Sequence, residues 1–150
     1  MREALRLAHE GVAARAGGPF GAVVTRGGEI VGRGWNQVTS TNDPTAHAEI
    51  VALRDAARRL RTFRLDDCEL FTSCEPCPMC LGAVYWARIK RLWYAATRED
   101  AARAGFDDAW FYEQLALPVT RRALPMRLLL HEEGAGPFQR WLALSDRTPY

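Results

Sequence analysis

The chain has no stretch approaching 18 uninterrupted apolar residues, which excludes a spanning helix of the usual kind. It has little net charge: the formal value is +2 with histidine neutral, and basic and acidic residues are interspersed. Charge balance alone therefore points to no nucleic-acid or membrane partner. The densest basic stretches are Arg58, Arg59, Arg61 and Arg64, then Arg121, Arg122 and Arg127. They read as solvated faces, although a nucleic-acid enzyme could use them. The opening MREALRLAHEGVAA lacks the apolar run of a secretory segment, because Glu3, His9 and Glu10 interrupt it. It reads as a mature, soluble helix, and the expected location is the cytoplasm. Internal repeats and linkers are missing too. Cysteine is scarce at four residues, but it is not scattered: Cys74, Cys77 and Cys80 lie three apart, just after Cys68. In a chain of this kind such clustering suggests a metal or catalytic site more than a disulfide framework.

What is present is enough for one domain. With 150 residues, 48% of them hydrophobic, the chain can build a core without staples. Helical spacing over residues 2–16 puts Leu5, Ala8, Val12 and Ala16 on one stripe. Residues 20–25 and 29–34 read as a hairpin turned at Arg26-Gly27-Gly28, and 35–44 as a polar loop that lines a site. A helix is expected over 45–60, with Ile50, Leu53, Ala57 and Leu60 buried and Arg54, Asp55, Arg58 and Arg59 in water. Strands follow at 68–72 and 91–95, with a helix over 78–87 between them. Shorter helical pieces are expected at 100–104 and 108–115, a last strand at 126–130, and a last helix over 137–144 with Phe138, Trp141 and Leu142 on one face. Strands alternating with helices imply a layered α/β domain.

The chemistry sits in two short segments. Catalytic zinc takes about three protein ligands and keeps a position for water. Cys77 and Cys80 are three apart at a helix start, so their sulfurs can converge on one ion. His47 and Glu49, two apart, would diverge in mid-helix, but in a first turn both lean back past the helix end and can flank a metal there. His47-Ala48-Glu49 followed by Pro76-Cys77-Pro78-Met79-Cys80 is the arrangement of zinc deaminases, in which His47, Cys77 and Cys80 hold the metal and Glu49 carries protons. Two thiolates and a neutral imidazole leave the ion with zero net charge, compatible with a neutral base. A closed site of four thiolates, adding Cys68 and Cys74, would leave His47 and Glu49 without a use. Cys68 instead reads as core and Cys74 as a bend residue near the site.

The chain resembles the cytidine and deoxycytidylate deaminase superfamily, and within it the short bacterial guanine deaminases. The resemblance rests on GGPFGAVV at 17–24, TSTNDPTAHAE at 39–49, TSCEPCPMCLGAVYWAR at 72–88, AGFDDAWFY at 104–112, PFQRW at 137–141 and the terminal Pro149-Tyr150. It implies a three-layer α/β/α sandwich around a central mixed five-stranded sheet. It also implies hydrolysis of guanine to xanthine and ammonia, with one zinc per subunit bearing a water or hydroxide. The purine pocket of that family falls here on Phe20, Asn36, Trp86, Asp108 and Tyr150. Phe20 and Trp86 would then sandwich or edge a flat ring, Asn36 would donate and accept at the base edge, and Asp108 would accept from its N–H groups. The resemblance further implies a homodimer in which a C-terminal segment, about 131–150, crosses to the partner and Tyr150 closes the neighbour's pocket. Three other readings stay open: a tRNA adenosine deaminase, a deaminase of another free base or nucleoside, and a zinc module without catalysis.

Overall fold

Four strands form one sheet in the computed structural model, which describes all 150 residues. β1 (Gly21–Arg26) and β2 (Glu29–Trp35) make an antiparallel hairpin; β3 (Cys68–Cys74) pairs antiparallel with the other edge of β1. β4 (Arg91–Ala96) adds to β3 in parallel, giving the mixed order β2-β1-β3-β4. Because β1 opposes both of its neighbours, β2, β3 and β4 all run the same way. Their C-terminal ends therefore share one edge of the sheet with the start of β1. In open α/β sheets that edge is where ligands bind.

Helices cover both faces, as the sandwich architecture requires. α1 (Arg2–Ala13) lies on one face; α3 (Ala48–Leu60) and α4 (Pro78–Trp86) lie on the other, after a single turn of helix, α2 (Val38–Thr41), in the loop leaving β2. The core between α3, α4 and the sheet is built from small side chains: Ala22, Val24, Ala48, Ala52 and Ala56 surround Leu53, Leu65, Leu70 and Val84. α3 can sit this close only because β2 offers glycine beneath it. A Cβ at Gly34 would run into the Ala48 carbonyl and the Ala52 nitrogen, both backbone atoms that cannot step aside. α5 (Arg98–Arg103) starts directly after β4, with Thr97 and Asp100 in a reciprocal capping box. α6 (Asp108–Ala116) follows. No helix is long and apolar enough to cross a membrane.

Two expectations need correction. The inward stripe of α1 is Ala4, Leu7, Ala8 and Gly11, while Leu5 and Val12 stay exposed. The helix turns its smallest residues to the sheet because the backbone of Gly21 lies directly beneath Ala4 and Ala8. The sheet also has four strands, not five, for residues 126–130 form no ladder. Met126, Leu128, Leu129 and Leu130 are all more than half exposed, so the burial that holds an apolar strand in place is missing.

The chain divides into two compact units, Met1–Tyr112 and Glu113–Tyr150. The second contains the end of α6, a turn of 3-10 helix at Val119–Arg121, α7 (His131–Gly134) and α8 (Gly136–Ala143). It contains no buried residue.

The contact beneath α3 can be tested by substitution. Gly34→Ala should cost about 1–3 kcal/mol of stability through overpacking against fixed backbone. Gly82→Ala, inside α4 with open space around it, should instead gain about 0.5–1 kcal/mol. Urea unfolding of the two variants checks both signs.

Candidate metal centre and base pocket

Two helices begin at the same place. His47 is the N-cap of α3 and Cys77 the N-cap of α4, both with extended backbone (φ −68°, ψ 153° and φ −65°, ψ 166°). The His47 side chain makes no capping bond, and the Cys77 sulfur meets only Cys80 of its own first turn, so both reach past the helix end. An ordered loop delivers His47: Asp43 accepts from the Thr45 N–H and hydroxyl, and the Gln37 N–H bonds the Ala46 carbonyl. Pro78 opens α4 where a missing N–H costs nothing. Cys80 then comes round on the first turn of α4, fully buried. The ligand atoms of His47, Cys77 and Cys80 all lie within 4.8 Å of one another, and Nδ1 of His47 is 3.6 Å from Sγ of Cys77. These three residues form a His/Cys cluster able to coordinate a metal ion.

The donor set suits a soft-to-borderline cation. Cys77 is held far below the ordinary thiol range by hydrogen bonds from Cys80 and from His47, against the cost of burial. Cys80 is pushed the other way, because it shares its proton with the Cys77 thiolate and is itself buried. The hydrogen bond to Cys77 raises His47. Metal binding at these ligands would displace the protons they carry.

Glu49 belongs to the same first turn of α3 and is only 5% exposed. Desolvation lifts its carboxyl to about 7, with the Cys77 thiolate adding to the shift. An acid titrating near neutrality suits proton transfer in either direction.

A cavity of about 200 Å³ opens beside this cluster, lined among others by Phe20, Asn36, His47, Glu49, Cys77 and Asp108. Asn36 follows β2, and its Oδ1 accepts from the Gly18 and Val38 N–H groups at 3.1 and 3.2 Å. Two backbone donors on one atom fix the amide, leaving its NH2 as the end available to a ligand. Gly17 makes this possible, since a Cβ there would collide with Asn36. Asp108, the first residue of α6, has its carboxyl raised by burial and by the nearby Cys77 thiolate.

The structure brings together His47, Cys77, Cys80, Glu49, Phe20, Asn36 and Asp108. It does not place Trp86 with them. Nine residues of helix, at about 1.5 Å each, carry it some 13 Å along α4 from Cys77. There it lines a separate shallow depression with Tyr85 and Arg88. The ring that meets Phe20 is Phe106, edge-on with centroids 4.7 Å apart. Tyr150 ends the second unit, 72% exposed. Cys68 is core on β3, and the Cys74 sulfur contacts the Thr97 carbonyl at 3.4 Å, outside the ligand cluster. Sequence reasoning left out Phe106 and Glu75. Both lie inside blocks that carried the resemblance, but without periodicity or metal-ligand chemistry to single them out.

Comparison with known proteins agrees with this geometry. Residues 1–96 match the cytidine and deoxycytidylate deaminase zinc-binding region. The chain is 50% identical over 150 residues to a guanine deaminase of Bacillus subtilis, covering 100% of this chain and 96% of that one. An X-ray structure of the guanine deaminase from that organism superposes with a TM-score of 0.95, covering 99% of this chain and 95% of that one at 50% identity. A tRNA-specific adenosine deaminase of Buchnera aphidicola is 46% identical, over only 59% of this chain and 58% of its own length.

Burial of Glu49 has a measurable consequence in the metal-free protein. Below its usual value of 4.5 the carboxyl is protonated whether the chain is folded or not, and contributes nothing. Between 4.5 and about 7 the unfolded chain ionises while the folded one holds its proton. Stability is therefore lost as pH rises through this window, by up to roughly 3 kcal/mol at the top. Metal-stripped Glu49→Gln should match the unsubstituted protein at pH 4.5 and be the more stable of the two at pH 8. Thermal melts at the two pH values, taken with chelator present, give the comparison.

Proposed function

The chain belongs to the cytidine and deoxycytidylate deaminase family, and from that membership we propose that it hydrolyses guanine to xanthine and ammonia. The observation that carries the reading is a buried carboxyl, poised near neutral pH, beside three converging metal ligands at the wall of a base-sized cavity. The ion is zinc, one per subunit, held by His47, Cys77 and Cys80; thiolate and imidazole ligands favour it. When bound, it supplies Lewis acidity that readies a water for attack near neutral pH.

The residues of the chain do the rest. Glu49 takes a proton from the attacking water and delivers it to a ring nitrogen of the base. A second transfer puts a proton on the exocyclic amine, so that the C2–N bond breaks as the C2–O bond becomes a carbonyl. Balance is met by one water consumed and one ammonia released. The Asn36 NH2 donates to an acceptor on the purine edge, and Asp108 accepts from its N–H donors. Phe20 and Phe106 wall the flat ring and keep bulk water from it. For Trp86 and Tyr150 a part in the pocket rests on the family resemblance alone. The protein works as a homodimer, with residues of about 131–150 exchanged so that Tyr150 reaches the neighbour's pocket. A second unit with no buried residue and large exposed apolar side chains supports that reading. Residues 1–150 then form one functional deaminase domain, and the four free cysteines suit a reducing cytoplasm.

Action on adenosine in tRNA would use the same metal chemistry. Guanine is favoured because the likeness to a guanine deaminase runs through Asp108 to the end of the chain, whereas the Buchnera tRNA enzyme matches little more than half.

Ammonia release by zinc-loaded protein tests the assignment, with guanine, guanosine, adenine, cytosine, cytidine and a tRNA anticodon stem offered in turn. Guanine should be turned over far faster than the others, and Glu49→Gln should nearly abolish the reaction. Turnover of the tRNA stem alone would refute the guanine reading. Deleting the last few residues, through Tyr150, should eliminate turnover with zinc still bound; full activity without them would sink the exchanged-segment dimer.

A further inference from the structure

Glu75 and Pro76 lie between β3 and α4, immediately before Cys77. Both are held by side chains of α5 and α6. Arg98, at the start of α5, grips the Glu75 carboxylate with three donors. Its backbone N–H and Nε reach Oε2 at 3.2 and 3.3 Å, and Nη2 reaches Oε1 at 3.0 Å. The same guanidinium lies 4.3 Å from the centroid of the Tyr112 ring. The Tyr112 hydroxyl then donates to the Pro76 carbonyl at 2.8 Å. The contacts close a ring: metal loop to Arg98, Arg98 to Tyr112, Tyr112 back to the metal loop.

Tyr112 stands four residues after Asp108 on α6, one turn along the same face. α6 buries none of its residues, so packing contributes little to fixing its position. The hydrogen bond and ring contact at Tyr112 join it to the metal loop, and the Phe106 ring just before it packs on Phe20. Asp108, which lines the base cavity, is thereby tied to the stretch that carries Cys77.

We propose that Arg98 and Tyr112 are positioning residues for base recognition, holding the Asp108 carboxylate at a fixed span from the metal cluster so that one rigid ring meets both. The inference rests on the guanine reading of the cavity. A flat base cannot flex to follow a drifting partner, and a misplacement of about 1 Å can cost on the order of a hundredfold in rate. Glu75 is the handle by which Arg98 grips the loop; its carboxylate lines the cavity but is already engaged.

Tyr112→Phe keeps the ring under Arg98 and removes only the bond to Pro76. Zinc content should stay at one per chain by atomic absorption. Guanine affinity, read as KM and as equilibrium binding in a Glu49→Gln background, should fall by about fivefold to tenfold. The decisive readout is coupling: in an Asp108→Asn background the same substitution should change guanine binding by less than about twofold. Arg98→Ala should weaken guanine binding too, and Arg98→Lys should restore part of the loss, since lysine keeps the charge but not the fork or the stack. Loss of zinc from Tyr112→Phe, unchanged guanine affinity, or an equal loss with and without Asp108 would each overturn the proposal. If the unsubstituted protein turns over no guanine, the function reading and this inference fail together. Guanine turnover without the coupling fails the inference alone.

Discussion

The site depends on two helix starts meeting at one point, with a histidine and a cysteine where a dedicated capping residue would sit. Serine, threonine, aspartate or asparagine at an N-cap is worth about 1 kcal/mol over an alanine. Here the two cap positions hold His47 and Cys77, whose side chains make no capping bond. The helices form nonetheless because packing, rather than capping, holds them. α3 lies on β1 and β2 through Ala48, Ala52 and Ala56, over glycines that leave no gap to slide in. The direction of β2, β3 and β4 then forces both helices to begin at the same edge of the sheet. Ligand geometry is thus set by backbone packing, and the side chains have little freedom left to lose when a metal arrives. That is the economy of building a site on helix and strand ends instead of on loops.

The same edge concentrates negative charge. Glu49, Glu75, Asp108 and Cys77 all line the cavity, and desolvation, with repulsion from the Cys77 thiolate, pushes Glu49 and Asp108 upward. Two features keep the cluster tolerable. The N-terminal N–H groups of α3 and α4 point at it, and Arg98 neutralises Glu75. A divalent cation would supply the remaining counter-charge. A cavity with this balance suits a neutral ring rich in N–H donors better than an anion, in keeping with the guanine reading.

The His/Cys cluster was legible because its chemistry is rare: His-x-Glu and Cys-x-x-Cys at helix starts have few other uses. Strand and helix positions in the first unit were legible from periodicity, and their ends shifted by only a few residues. Finer packing was not. The inward face of α1 could not be read from its large residues, because the sheet selects for closeness there and takes Ala4, Leu7, Ala8 and Gly11. Phe106 and Glu75 sit in irregular chain, where no period marks a residue, and their roles arise only when distant loops meet. Trp86 is the opposite case. A motif can align a residue with a family role while the length of a helix carries it elsewhere in the single chain.

Residues 113–150 pose the sharper physical question. Fixing a residue's backbone costs about 1–2 kcal/mol, and ordered helix is repaid mainly by buried apolar surface. This unit buries nothing, yet it offers Leu124, Leu128, Leu129, Leu130, Phe138 and Leu142, each more than 60% exposed. An apolar display on that scale marks an interaction surface. It also accounts for the segment at 126–130, which has the composition of a strand and no ladder to join. A strand needs a partner edge, and an apolar helix face needs a cover; if a second copy supplies both, the order of this unit becomes linked to protein concentration. The His/Cys cluster carries no such condition, for His47, Cys77, Cys80 and the buried Glu49 all lie within Met1–Tyr112. If the proposed dimer forms, metal binding and completion of the base pocket are separable events, the first needing one subunit and the second the assembly.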